Sequence, residues 1–177
     1  MVDEELGKII ERARRGNEEA FSELVTRFKG HVFRHAYGLL GDRGEAEDAA
    51  QEIFMKVYFA LGKLDDIHAF YSWLMRIVSN LCKDKLKQRA RSVEIGEMSN
   101  ETVPDFLASD PNLKVSLQEA LSQLSVHHRE ILLLHDVQGF RYEEIAEQTG
   151  IPIGTVKSRL FSARMALRKI WNRGEGE

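Results

Sequence analysis

The residues best suited to chemistry lie together near the C-terminal end. Lys157, Ser158, Arg159, Ser162, Arg164, Arg168 and Lys169 fall within Gly154 to Arg173, a stretch with no acidic residue. Ammonium and guanidinium groups interleaved with hydroxyls neutralise phosphates and hydrogen-bond to base edges; they do not move protons in a catalytic cycle. The other reactive side chains give weaker patterns. His31 and His35 have the i, i+4 spacing of metal ligands but no third ligand nearby in sequence. Asp65-Asp66 reads as a helix-start signal rather than an acid–base pair. Cys82, the single cysteine, excludes an internal disulfide and reads as a packed thiol. A phosphate-cradling glycine loop, a nucleophile elbow and zinc spacing are all missing from the sequence. The expectation is therefore no enzymatic activity, no cofactor and no metal.

The elements that position the basic residues can be read from the spacing around them. Val156, Leu160, Ala163 and Leu167 recur at i, i+4, i+7 and i+11 and form one apolar helical stripe. Before it, Thr149-Gly150-Ile151-Pro152 breaks the helix: Gly150 accepts the left-handed conformation and Pro152 cannot continue a helix. The second helix is expected to start near Gly154-Thr155, with Thr155 as its cap. A preceding helix turns Ile145 and Ala146 inward. Two helices around a glycine turn, the second basic, predict a helix-turn-helix whose second helix enters a DNA major groove.

The rest of the chain reads as helical, with no strand signal. Helices are expected over Asp3 to Arg14, from a cap at Asn17 to about Leu40, from a cap at Asp42 over Glu45 to Leu61, and over about His68 to Gln88. Others follow near Leu113 to Gln123 and Ser125 to Val137. Between them, residues 92–112 hold Glu94, Glu97, Glu101, Asp105 and Asp110, two prolines and no Lys or Arg. That composition predicts a flexible acidic linker. Its charge also explains why the net charge is −3 while the remainder is slightly basic. The predicted fold is all-α: a helical domain over 1–91, a linker over 92–112, and a helix-turn-helix domain over 113–177. With 177 residues and 43% hydrophobic content, each half can bury a core. No apolar run reaches membrane-spanning length and the acidic N-terminus is unlike a signal peptide, so a cytoplasmic location is expected, with any membrane link coming through a partner.

Four blocks carry a family resemblance: GNEEAFSELVTRF, GDRGEAEDAAQEIFMKVY, AFYSWLMRIVSNLCKDKLK and GFRYEEIAEQTGIPIGTVKSRLFSARMALRK. In this order and spacing they resemble the extracytoplasmic-function (ECF) sigma factors of bacterial RNA polymerase. Ser125 departs from the proline usual in that family. The resemblance implies that the third helix docks on core polymerase through Asp48, Gln51, Glu52 and Lys56, with Ile53 and Phe54 as apolar flanks. It implies that the loop and helix after it read the separated strand of the −10 element. Asn80 would then hydrogen-bond a flipped base, Asp65, Ile67, His68 and Tyr71 would line its pocket, and Lys83, Lys85 and Lys87 would track the backbone. Trp73 reads as core. The helix-turn-helix would read the −35 duplex, with Lys157, Ser158, Phe161 and Ser162 at bases and Arg141, Thr155, Arg159 and Arg164 at phosphates. Core polymerase, promoter DNA and an anti-sigma protein, often membrane-bound, are the implied partners. The alternatives are a stand-alone helix-turn-helix regulator and a protein that only sequesters a partner.

Overall fold

The structure is a computed structural model that describes residues 4–94 and 116–173. Eight α-helices occur among these residues, with no strand. In the N-terminal half they are α1 (Glu4–Arg14), α2 (Glu18–Leu40), α3 (Arg43–Ala60) and α4 (Phe70–Glu94). The C-terminal half holds α5 (Leu117–Ser122), α6 (Val126–Leu132), α7 (Tyr142–Thr149) and α8 (Ile153–Arg173).

The helix starts follow from short polar side chains. Asn17 accepts a hydrogen bond from Ala20 N at 2.7 Å, and Asp42 accepts from Glu45 N at 2.7 Å. Each satisfies one of the amides that the first turn leaves unpaired. Ser116 and Glu119 form a reciprocal capping box at α5. Ser125 accepts from His128 N at 3.3 Å, so α6 begins where expected without the proline usual in the family. Gly41 and Gly150 end α2 and α7 with φ of 80° and 70°, a region closed to most residues.

Apolar periodicity then decides which faces meet. α1 buries Leu6, Ile9, Ile10 and Ala13 against α2. α2 crosses the centre of the N-terminal half and touches α1, α3 and α4, burying Leu24, Phe28, Val32 and Leu39. α3 contributes Ala46, Ala49, Ile53 and Val57, and α4 contributes Phe70, Leu74, Met75, Val78 and Cys82. Trp73 is half-buried and packs against this core, its ring 6.1 Å from Phe70.

Three expectations need correction. α4 starts at Phe70, because Ile67–Ala69 form a separate 3-10 turn capped by Asp66, and it continues to Glu94. The basic helix thus takes in Ser92 to Glu94 of the expected linker; residues 95–112 of that linker lie outside the described residues. α6 does not run evenly to Val137: it passes into a π-helical segment at Leu133–Val137. The third concerns α8, which begins at Ile153, where Val156 N already bonds to Pro152 O at 3.0 Å. Thr155 therefore sits inside the first turn and is not the cap.

The two helical domains pack against each other. α2 meets α5 and α6, α4 meets α7, and the buried residues of both halves form one continuous cluster.

Candidate nucleic-acid and polymerase interfaces

α7 and α8 form the helix-turn-helix. Ile145, Val156, Leu160 and Ala163 are buried at 0 to 2% exposure, as the stripe requires. This fixes the opposite face of α8 outward. Lys157, Ser158, Phe161, Ser162 and Arg164 are all exposed there, continuous with Met165, Arg168 and Lys169. Phe161, adjacent to the stripe, is 69% exposed. An aromatic ring held in water among cations is an unsatisfied surface that base edges and thymine methyls can cover. Lys157 lies over the Tyr142 ring at 5.8 Å, which fixes the head of the helix. Arg141 is exposed just before α7, while Thr155 and Arg159 are half-buried beside the stripe. Arg164 is already engaged: its guanidinium forks onto Asp136 of the π segment, with Nε at 3.1 Å.

The −10 candidates divide differently. Asp65 and His68 are exposed, and Ile67 is half-buried beside them. Asn80 is exposed on α4. The lysine track is partly occupied. Lys83 Nζ sits 2.8 Å from Glu130 of α6, and Lys85 Nζ sits 3.0 Å from Glu52 of α3. Lys85's hydrogen bond holds the Glu52 carboxyl below its usual range. Lys87 remains exposed, 3.9 Å from Asp84. Tyr71 does not face open solvent as a pocket wall. Its ring stacks on Phe140 at 5.1 Å, its hydroxyl donates to Gln138 Oε1, and burial pushes its pKa up to about 12.

On α3, Asp48, Gln51 and Lys56 are exposed and Glu52 and Phe54 half-buried. Ile53 is a correction: at 0% exposure it belongs to the core and offers no surface to a partner. The apolar surface lies one face round, at Met55, Tyr58 and Phe59, exposed by 63%, 44% and 76%. With Phe21, Val25 and Phe54 they line a groove of about 600 Å³ between α2 and α3. The run IFMKVYFA held that signal, because it carries more apolar residues than one inward stripe can bury.

The histidine pair is divided between two environments. His35 is fully buried, 2.9 Å from Ser79 Oγ, and burial followed by the nearby Lys83 lowers its pKa to about 4. His31 contacts the Tyr71 hydroxyl at 3.1 Å. No helix among the described residues is long and apolar enough to cross a membrane.

The chain is similar to known proteins in sequence and in fold. Residues 24–92 match the family description Sigma-70 region 2, and residues 114–167 match Sigma-70, region 4. The chain is 33% identical over 184 aligned residues to the RNA polymerase sigma-H factor of Pseudomonas aeruginosa, covering 96% of this chain and 95% of that one. It is 31% identical to the ECF RNA polymerase sigma-E factor of Escherichia coli, covering 90% of each. Among solved structures, the sigma factor RpoE crystallised with the anti-sigma factor NepR from Bartonella quintana superposes with a TM-score of 0.71 at 25% identity, over 85% of this chain and 95% of that one. CnrH, solved with the cytosolic domain of CnrY, shares the fold with a TM-score of 0.71 at 23% identity, over 94% of this chain and 97% of that one. Likeness of this extent runs through both helical halves, including the acid-free helix and the helix that precedes the basic one, and the chain belongs to the sigma-70 family, in its extracytoplasmic-function group.

Proposed function

We propose that this sigma factor reads its promoter with the residues placed above, and that it acts in the cytoplasm without catalysis of its own. The chain directs core RNA polymerase to promoters; bond formation belongs to the polymerase. The observation that supports the reading best is the outer face of α8, where an exposed phenyl ring lies among cations and hydroxyls with no carboxylate on the helix. In this reading Lys157, Ser158, Phe161 and Ser162 meet −35 base edges, and Arg141, Thr155, Arg159 and Arg164 meet phosphates. Arg164 exchanges Asp136 for a phosphate oxygen when it does so. Asn80, Asp65, Ile67, His68 and Tyr71 serve the −10 strand, with Lys83, Lys85 and Lys87 along its backbone. Asp48, Gln51, Glu52, Phe54 and Lys56 meet core polymerase.

Neither DNA-binding domain needs high affinity, because docking on polymerase raises the effective concentration of each at its element. A likeness to RpoE, whose structure contains NepR, supports control of this chain by an anti-sigma protein. The test is a footprint of a promoter with the chain alone and with core polymerase added. Protection at both elements only in the presence of core enzyme is expected. A stand-alone regulator would protect its site without polymerase, and that result would replace this reading.

A further inference from the structure

Arg164 stands one turn after Phe161 on the outer face of α8. Lys157, Arg159, Arg168 and Lys169 of the same helix pair with no carboxylate among the described residues; Arg164 does. Its partner, Asp136, lies in the π segment that precedes the helix-turn-helix. There Gln138 N reaches back to Leu133 O at 2.9 Å, an i→i+5 bond that widens the turn. Leu133 and Leu134 turn into the core, and Asp136 is left on the side that faces α8. The end of the segment is tied down: His135 Nδ1 donates to Phe140 O at 2.8 Å, and Gly139 turns the chain toward α7 with a φ of 77°. The carboxylate is thus carried by a constrained turn of rare type, and such turns collect at functional sites.

The pair is open to solvent. Both Asp136 oxygens accept from Arg164, with Nε at 3.1 Å, while the two side chains remain 36% and 49% exposed. A DNA phosphate offers a guanidinium the same two-oxygen fork. An exposed ion pair contributes little to folding, so opening it costs little. A phosphate delivered to the right place can therefore replace Asp136, whereas a loosely held one competes with a partner already in position.

We propose that Asp136 is a specificity-determining residue, an internal phosphate mimic that withholds Arg164 from random duplex and yields it to the −35 element. This rests on the assignment of the outer face of α8 to the −35 duplex. On a −35 element, base contacts by Lys157, Ser158, Phe161 and Ser162 seat the helix and bring a backbone phosphate to Arg164, one turn on. On other duplexes nothing seats the helix, and Arg164 keeps Asp136. Non-specific affinity comes from phosphate contacts alone, so withholding one cation lowers it selectively.

The test compares full-length parent, Asp136→Asn and Asp136→Glu chains. Circular dichroism melts report folding. Fluorescence anisotropy at low salt reports binding to a labelled random-sequence duplex and to a duplex carrying a −35 element from a template that the holoenzyme transcribes. Asp136→Asn should bind random duplex at least about threefold more tightly, with a log–log salt slope steeper by about 0.9, the increment for one added phosphate contact. Its gain on the −35 duplex should be smaller, so discrimination between the two falls. Asp136→Glu keeps the charge and should restore discrimination. Arg164→Gln in the Asp136→Asn background should cancel the gain on random duplex. A merely structural role for the pair predicts the opposite sign: a lower melting temperature and weaker binding of both duplexes. The proposal is overturned by that result, by unchanged binding of random duplex, or by equal gains on both duplexes. Lys157→Ala separates the two readings. If it weakens −35 binding while Asp136→Asn changes nothing, only the role of Asp136 falls. If it leaves −35 binding as in the parent, the assignment of α8 falls and this inference falls with it.

Discussion

Leu160 and Phe161 are neighbours on α8 with opposite surroundings, 2% and 69% exposed, and their truncations should have opposite consequences. Leu160→Ala removes a packed side chain between α8 and its neighbours and should cost about 2–5 kcal/mol of stability. Phe161→Ala removes a ring that touches little in the free protein, so its melting temperature should stay close to the parent's. Its loss should appear at DNA instead. One base-edge contact is worth about 1–3 kcal/mol, or about a 5- to 160-fold drop in −35 affinity, confined to the base step that the ring covers. The assay pairs thermal melts with competition binding of holoenzyme to promoters varied one −35 position at a time. Lys157→Ala gives the contrast, because losing a cation also lowers the salt dependence of binding. A Phe161→Ala chain that melts several degrees lower, or that binds every −35 variant as the parent does, would refute the assignment of the outer face of α8 to base reading.

Two further predictions come from buried groups. His35 titrates at about 4 in the folded chain against an ordinary value of 6.5, so the unfolded chain takes up its proton first as the pH falls. Stability should be full above pH 6.5 and decline by about 3 kcal/mol on descending to pH 4, and in chemical denaturation series His35→Gln should flatten that slope; an unchanged slope would contradict the burial argument. Burial also pushes the Cys82 thiol up to about 12, so a thiol reagent should modify it only after denaturation, and fast labelling of the native chain would show that α4 opens.

Legibility from sequence followed the local chemistry. Val156, Leu160 and Ala163 announced the buried side of α8 by spacing alone, and Asn17 and Asp42 announced helix starts by side-chain type. Phe161 was harder, because a residue beside a stripe falls in or out according to how its neighbours pack. Ile53 has the spacing of the inward row of α3, with Ala46, Ala49 and Val57, and that is where it packs; only the family resemblance sets it at the polymerase contact. The contact between the halves left the least trace. Gly38 reads as any helical glycine until Leu133 is known to face it, and Arg129-Glu130 reads as a surface pair until Leu39 and Lys83 are brought to them. Long-range pairs of this kind carry no period and no motif. The end of α4 leaves little mark in the sequence, because Ser92 to Glu94 have the composition of the acidic stretch beyond them.

The central claim is that polymerase selects promoters through this chain. Run-off transcription from a library of templates varied at the −35 and −10 elements, with core RNA polymerase alone and with the chain added, tests it most directly. The account predicts transcripts from a defined subset of templates only when the chain is present, with selection weakened at one −35 position by Phe161→Ala and at one −10 position by Asn80→Ala. The same transcripts from core enzyme alone, or none with the chain added, would contradict it.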